Sequence, residues 1–321
     1  MKYGFRVPTQ LTDPQSIATL VQRAEDMDFH FAGVSDHLVV PRNIGSRYPY
    51  SESGDSWPGS LSGVSLDRPA SYLDPLTLLS FLAARTSEIR LLTSVLVLPY
   101  RSPVLTAKVL ASIDVLSHGR LIVGCGLGWM REEFQALGSP PFEERGDVTD
   151  EYIRAFKELW TSRDPEFEGR YCQFSDVTFE PKPVQKPHPP IWTGGEGRAA
   201  LRRAARLADG WHPINSNPRH PLRTLQDLSA SINEMRGYAE EEGREASVIE
   251  IALSASWSED SAFGPDRSIL VGSAEMVAAD IHALEEFGVG YLMVGFGADT
   301  VEATLGLMER FTSEVTPLAA G

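Results

Sequence analysis

Short apolar runs alternate with longer amphipathic stretches from one end of this chain to the other. The runs cover residues 3–7, 31–35, 90–98, 121–125, 190–193, 210–212, 249–255 and 291–294. Most lack the in–out alternation of a half-exposed strand, so both faces are expected to be buried, as in a parallel sheet. The stretches between them carry helical spacing over residues 14–27, 74–84, 103–116, 149–161, 198–207, 222–242, 274–287 and 299–315. Three of these open on a polar residue followed by proline, Asp13-Pro14, Asp74-Pro75 and Ser102-Pro103, which is a helix-start signature. Alternating strands and helices predict parallel strands with right-handed crossovers. The expectation is an α/β chain folded as one (β/α)8 TIM barrel over residues 1–321. A doubly wound sheet would want a glycine-rich phosphate turn after the first strand, and Val7-Pro8-Thr9-Gln10 stands there instead.

Two insertions interrupt the rhythm. Residues 41–69, rich in Ser, Gly and Pro, follow the second strand, and residues 163–189 precede the fifth. Loops of this length in a compact domain are usually functional or disordered. The first is expected to be either a substrate lid over the barrel mouth or a surface excursion. Its Tyr48, Tyr50 and Trp57 hint at an apolar or aromatic substrate.

A barrel places its chemistry at the C-terminal ends of the strands. Ser35-Asp36-His37 ends the second strand. His37 could exchange a proton near neutral pH, with Asp36 orienting its ring; equally, both could cap the strand. Thr93 and Ser94 lie in an otherwise apolar third strand and need partners, either in an irregularity of the sheet or in a ligand. Gly124-Cys125-Gly126-Leu127-Gly128-Trp129 ends the fourth strand and reads as close backbone approach to a flat ligand, with Trp129 as a wall. Thr193-Gly194-Gly195-Glu196-Gly197-Arg198 ends the fifth and opens a helix, and is expected to be either an anion site with Arg198 as a charged fork or a tight β-to-α turn without a ligand. Glu196 is the unexpected charge beside it.

Composition narrows the partners. A formal net charge of −15 argues against nucleic acid or an anionic membrane. No apolar run reaches the length of a membrane span. Two cysteines, Cys125 and Cys172, exclude a disulfide framework and fit a reducing cytoplasm. The chain enters a strand directly after Met1, so no signal peptide is expected. No metal-ligand spacing is present, and none is expected to matter.

Taken together, residues 34–41 (Val-Ser-Asp-His-Leu-Val-Val-Pro), Leu92-Thr93-Ser94-Val95, residues 119–129 with Glu133-Phe134 after them, and residues 191–198 through Ala208-Asp209-Gly210-Trp211 resemble the bacterial luciferase-like superfamily, and within it the coenzyme F420-dependent oxidoreductases. The resemblance implies a deazaflavin cofactor, coenzyme F420, at the barrel mouth. It implies that Asp36 and His37 contact the cofactor and support proton transfer. It further implies a non-proline cis peptide at Ser94–Val95 behind the ring, with Gly126, Leu127, Gly128 and Trp129 beside it. The phosphate would lie on Thr193, Gly194, Gly195, Glu196, Gly197 and Arg198. FMN, as in a luciferase-like monooxygenase, is the alternative cofactor, and a non-catalytic flavin-binding protein is a further one. The superfamily's habit of pairing barrels implies a homodimer. Sugar-phosphate and alcohol dehydrogenases of this class carry a glutamate where this chain has Trp129, which puts those substrates in doubt.

Overall fold

In the computed structural model, residues 1–8, 13–51, 72–259, 267–298 and 300–320 are described. Its elements in chain order are β1 (Lys2–Arg6), α1 (Pro14–Asp26), β2 (Phe31–Val34), α2 (Pro75–Ala83), β3 (Arg90–Thr93), β4 (Leu96–Val97), α3 (Pro103–Leu116), β5 (Leu121–Gly126), α4 (Arg131–Leu137), α5 (Arg145–Thr161), β6 (Phe167–Glu168), β7 (Gln173–Phe174), β8 (Ile191–Gly194), α6 (Arg198–Leu207), β9 (Gly210–His212), α7 (Leu225–Glu241), β10 (Glu250–Trp257), α8 (Ala274–Glu286), β11 (Tyr291–Phe296), α9 (Val301–Arg310) and α10 (Thr316–Ala319). The main sheet runs in the order β3-β2-β1-β11-β10-β9-β8-β5-β4, and β3 also pairs with β5. This is the connectivity of a (β/α)8 barrel, as the strand–helix rhythm predicts. No helix among the described residues is long and apolar enough to cross a membrane.

Contacts divide the chain into two compact units, residues 34–192 and residues 1–33 with 193–321. In the second of these, β1 pairs in parallel with β2 and β11, and β10 pairs with β9 and β11. Phe5, Phe31, Trp211 and Phe311 are buried there. In the unit of residues 34–192, α3 packs on α5 and α2, over a core that includes Leu79, Phe156 and Trp160.

Several starts follow the expected chemistry. Asp13 caps α1 by accepting from Ser16 N, and Asp74 caps α2 by accepting from Thr77 N. Ser102 makes no such side-chain bond. The helix expected from residue 222 begins at Leu225, because Thr224 and Asp227 form a reciprocal capping box. The helix expected from residue 149 begins at Arg145, its first turn being polar and without a start signal. Three features were not anticipated: the β6–β7 hairpin inside the 163–189 insertion, the seven-residue helix α4 and the short helix α10. Of the 41–69 insertion, residues 52–69, Trp57 included, lie outside the described residues.

The third strand is split where one run was expected. Leu92 pairs with Ile122 and Leu96 with Cys125, so four steps on this strand match three on β5. One residue is therefore extra, a bulge that re-aims the chain. The cis peptide lies inside it, at Ser94–Val95, where the resemblance implied one.

Candidate active site

The site residues fall into two sets, one in each unit. The first surrounds His37, just beyond β2. The His37 ring Nδ1 meets Glu133 Oε2 at 2.8 Å. Glu133 also accepts from Leu38 N at 2.7 Å, from Val39 N at 3.2 Å and from the Tyr100 hydroxyl at 3.0 Å. Its carboxylate is fully buried, whereas the His37 side chain is 12% exposed. Burial pushes the Glu133 carboxyl up, but the His37 contact and the two amide bonds outweigh it and hold the group below the ordinary range. An ionised Glu133 makes Nδ1 the donor in this contact.

The sequence reading gave ring orientation to Asp36, and the structure corrects this. The Asp36 carboxylate makes two hydrogen bonds to Arg101, at 2.7 and 2.8 Å, and accepts from Val97 N at 2.8 Å. Arg101 also reaches Asp74 at 2.9 Å. Asp36 is buried in this network and holds β4 and the segment after it, beneath the site. Burial raises the Asp36 carboxyl against the pull of Arg101; the Arg101 guanidinium, although also penalised by burial, is held above its ordinary value by Asp36 and Asp74.

Helix α4 supplies what the sequence reading missed. Its Glu133 fixes residues 37–39, and the adjacent Glu132 Oε1 accepts from Gly45 N and Ser46 N at 2.8 and 3.0 Å. The first part of the insertion is thereby tied to the same short helix. Phe134 anchors α4 through edge contacts with Tyr100 and Phe142, ring centroids 5.0 and 5.1 Å apart. Tyr72 and Trp129 stand 5.1 and 6.3 Å from His37, and Tyr48 stands 5.3 Å from Trp129. His37 therefore sits among aromatic rings. Glu133 lies four residues beyond Trp129, on a polar segment too short for periodicity to reveal, so only its place in the motif could have drawn attention.

The β5 glycines were read as close approach to a flat ligand. The close approach is real, but its partner is the protein. A Cβ on Gly124 would lie 2.0 Å from Thr93 O, and one on Gly126 would lie 2.4 Å from Val95 Cγ2. Gly128, with φ +81°, would meet Phe134 and Val97. The Thr93 hydroxyl, expected to need a partner, donates to Gly124 O at 2.8 Å. Gly126→Ala is expected to destabilise the fold by about 1–3 kcal/mol, because the stiff Val95 side chain cannot swing away. Val95→Ala should restore most of that loss in urea unfolding of the double variant.

A second prediction concerns Glu133. Its folded-state carboxyl lies below the unfolded value of about 4.3. The stability it contributes is therefore complete above that value and is lost as the pH falls through the folded one. Glu133→Gln should flatten this part of the acid-unfolding curve. It should also lower turnover by roughly 10–100-fold, the size found for partners that orient a working imidazole in metal sites.

The second set lies in the other unit, where β8 turns into α6. Gly195 has φ +100°, and Gly197 caps the helix with no side-chain bond to its first turn. A Cβ on Gly197 would lie 3.0 Å from His220 Nε2, so the glycine lets that ring close on the turn. The Thr193 hydroxyl is buried without a hydrogen-bond partner among the described residues. Uncapped amides, glycines and an orphaned hydroxyl fit a phosphate. Glu196 is the exception, and the structure resolves it. Its carboxylate accepts from Ile214 N at 3.0 Å and Asn217 Nδ2 at 2.6 Å, tying the turn to the segment after β9. Burial raises this carboxyl, which disfavours its charge. Arg198 also departs from the expected fork: its side chain is 84% exposed and pairs with Glu234 at 3.2 Å.

Comparisons with known proteins place this geometry. A family model described as luciferase-like monooxygenase matches residues 1–258. The FMNH2-dependent dimethylsulfone monooxygenase of Pseudomonas putida is 35% identical over 219 residues, which are 67% of this chain and 56% of that protein. The chain thus spans little more than half the length of that relative. Among solved structures, the monooxygenase RslO1 of Streptomyces bottropensis superposes with a TM-score of 0.73 at 23% identity, covering 99% of both chains. An F420-dependent secondary alcohol dehydrogenase superposes with a TM-score of 0.75 at 17% identity, covering 99% of this chain and 98% of the other. At such identities the structural likeness concerns the fold alone. The family match over most of its length, together with the barrel and its bulged third strand, makes this chain a member of the luciferase-like monooxygenase family of oxidoreductases.

Proposed function

We propose that this protein is an oxidoreductase in which coenzyme F420 exchanges hydride with a small organic substrate while His37 exchanges the accompanying proton. The carrying observation is the hydrogen-bonded chain from His37 through buried Glu133 to Tyr100. A bound deazaflavin supplies a ring carbon that gives or takes hydride and does not readily activate oxygen. Everything else falls to the protein. Oxidation of a carbon bearing an O–H or N–H group releases a proton together with hydride, and a base must take that proton. Glu133 holds the His37 ring at Nδ1, so Nε2 can accept or return the proton. Tyr72 and Trp129 flank that imidazole, with Tyr48 packed on Trp129, and this apolar surface favours an apolar or aromatic substrate and limits water. The uncapped start of α6, with Gly195, Gly197 and the Thr193 hydroxyl, binds a cofactor phosphate.

A second reading, an FMN-dependent monooxygenase, is favoured by the 35% identity to the dimethylsulfone enzyme. The phosphate site suits either cofactor. The His37–Glu133 couple speaks against a non-catalytic flavin carrier, which needs no proton route. Parallel fluorescence titrations with F420 and FMN separate the readings. Tight F420 binding with weak FMN binding is expected. The reverse preference, followed by oxygen uptake with reduced FMN, would replace the hydride reading with the monooxygenase one. Binding of neither would remove both.

A further inference from the structure

Arg6 is the last residue of β1, at the end of the strand where barrels carry their chemistry. It opens onto a cleft of about 50 Å³ shared with Asn215, Ser216, Ser254, Ser256 and Gly295, all within the unit of residues 1–33 and 193–321. Among the described residues its guanidinium makes one hydrogen bond, from Nη2 to Ser254 Oγ at 3.1 Å. Arg6 Nε is buried and has no acceptor among the described residues. A buried charge-bearing donor left unmatched is costly, and such groups are ordinarily paired.

The walls of the cleft are fixed. Asn215 N donates to Ser254 O at 3.0 Å, and Ser254 N donates to Pro213 O at 2.8 Å, which pins the segment after β9 to β10. A Cβ on Gly295 would lie 2.9 Å from Ser256 Oγ, so the glycine keeps that serine close. His212, at the end of β9, is bound at Nδ1 to Ala252 O, and burial pushes it down to about 4. It is therefore neutral at ordinary pH and adds no like charge beside Arg6. Hydroxyls, a carboxamide and an unmatched guanidinium are the donor set that recognises an oxyanion.

We infer that this cleft is an anion subsite, in which Arg6 Nε and its neighbours receive one oxyanion group of a small organic ligand, of carboxylate, sulfonate or phosphate type. The inference is independent of the cofactor, because its reading is taken on the protein without one. The probe is the Arg6 Nε–Hε signal in a proton–nitrogen correlation spectrum, assigned by its disappearance in Arg6→Lys. Acetate, methanesulfonate and inorganic phosphate are titrated in turn against chloride at matched ionic strength. A saturable movement with at least one oxyanion, beyond that caused by chloride, is expected. Asn215→Ala leaves Arg6 in place and should weaken that response by about tenfold, the worth of one hydrogen bond to a charged group. Movement no greater than with chloride, in the folded wild-type protein, overturns the inference. Riboflavin and FMN then distinguish the source. A response to FMN that riboflavin lacks assigns the site to a cofactor phosphate; a response to acetate or methanesulfonate, with none to FMN beyond that to riboflavin, assigns it to the carboxylate or sulfonate of a substrate.

Discussion

His37→Ala lowers turnover roughly 10²–10⁴-fold, the range that a positioned general acid or base contributes. The reasoning is geometric. Nδ1 is committed to Glu133, and the ring is further fixed by Tyr72 and Trp129, so Nε2 has a defined direction. A group so held transfers a proton at low cost because its orientation is already set. The loss should appear in kcat more than in cofactor affinity, since the proposed phosphate site lies on other residues. His37→Gln preserves a donor towards Glu133 but cannot carry a proton at neutral pH, so it should be nearly as slow as the alanine variant. Steady-state rates and cofactor titrations of both variants make the check. Wild-type turnover in His37→Gln would remove the proton role and leave His37 as a packing residue.

Asp36→Ala costs about 3–5 kcal/mol of stability, the loss expected when one partner of a buried ion pair is removed. Three hydrogen bonds are lost, two from the Arg101 fork and one from the Val97 amide. Arg101 retains Asp74, so the double variant Asp36→Ala/Arg101→Ala should lose less than the sum of the two single changes. Urea unfolding with unchanged m values measures each step. A loss below about 1 kcal/mol in Asp36→Ala would show that this network is not a main anchor of the bulged strand, because only exposed pairs are worth so little. Asp36→Ala should also impair activity indirectly, by releasing the residues next to His37.

The strand–helix rhythm was legible because it depends on local pattern. Doubly buried strands must be apolar on both faces, and Asp13 and Asp74 announce their helices through bonds only three residues long. His37 was legible by position, as a titratable residue just after a strand. Glu133 was not. It lies 96 residues from His37, on a short polar helix, and nothing in its local sequence says that it is buried. The β5 glycines show the same boundary from the other side. Their small size signals that something comes close, but whether that is a ring or a neighbouring strand depends on atoms distant in sequence. Glu196 and Arg198 carry the point further. The motif suggested that both serve the phosphate turn, yet one is drawn into the fold by Ile214 and Asn217 and the other pairs outward with Glu234.

The sequence by itself determined the alternation of elements, the strand ends available for chemistry and the glycine turn suited to an anion. These rest on backbone sterics, burial periodicity and capping, which act over a few residues. Tertiary structure alone decided which carboxylate holds His37, what the Asp36–Arg101 pair supports, and that Arg6 is left with an unmatched donor in a polar cleft. Side-chain partners are chosen by geometry across long sequence separations, where charge and hydrogen-bond capacity are common to many residues and only position selects among them.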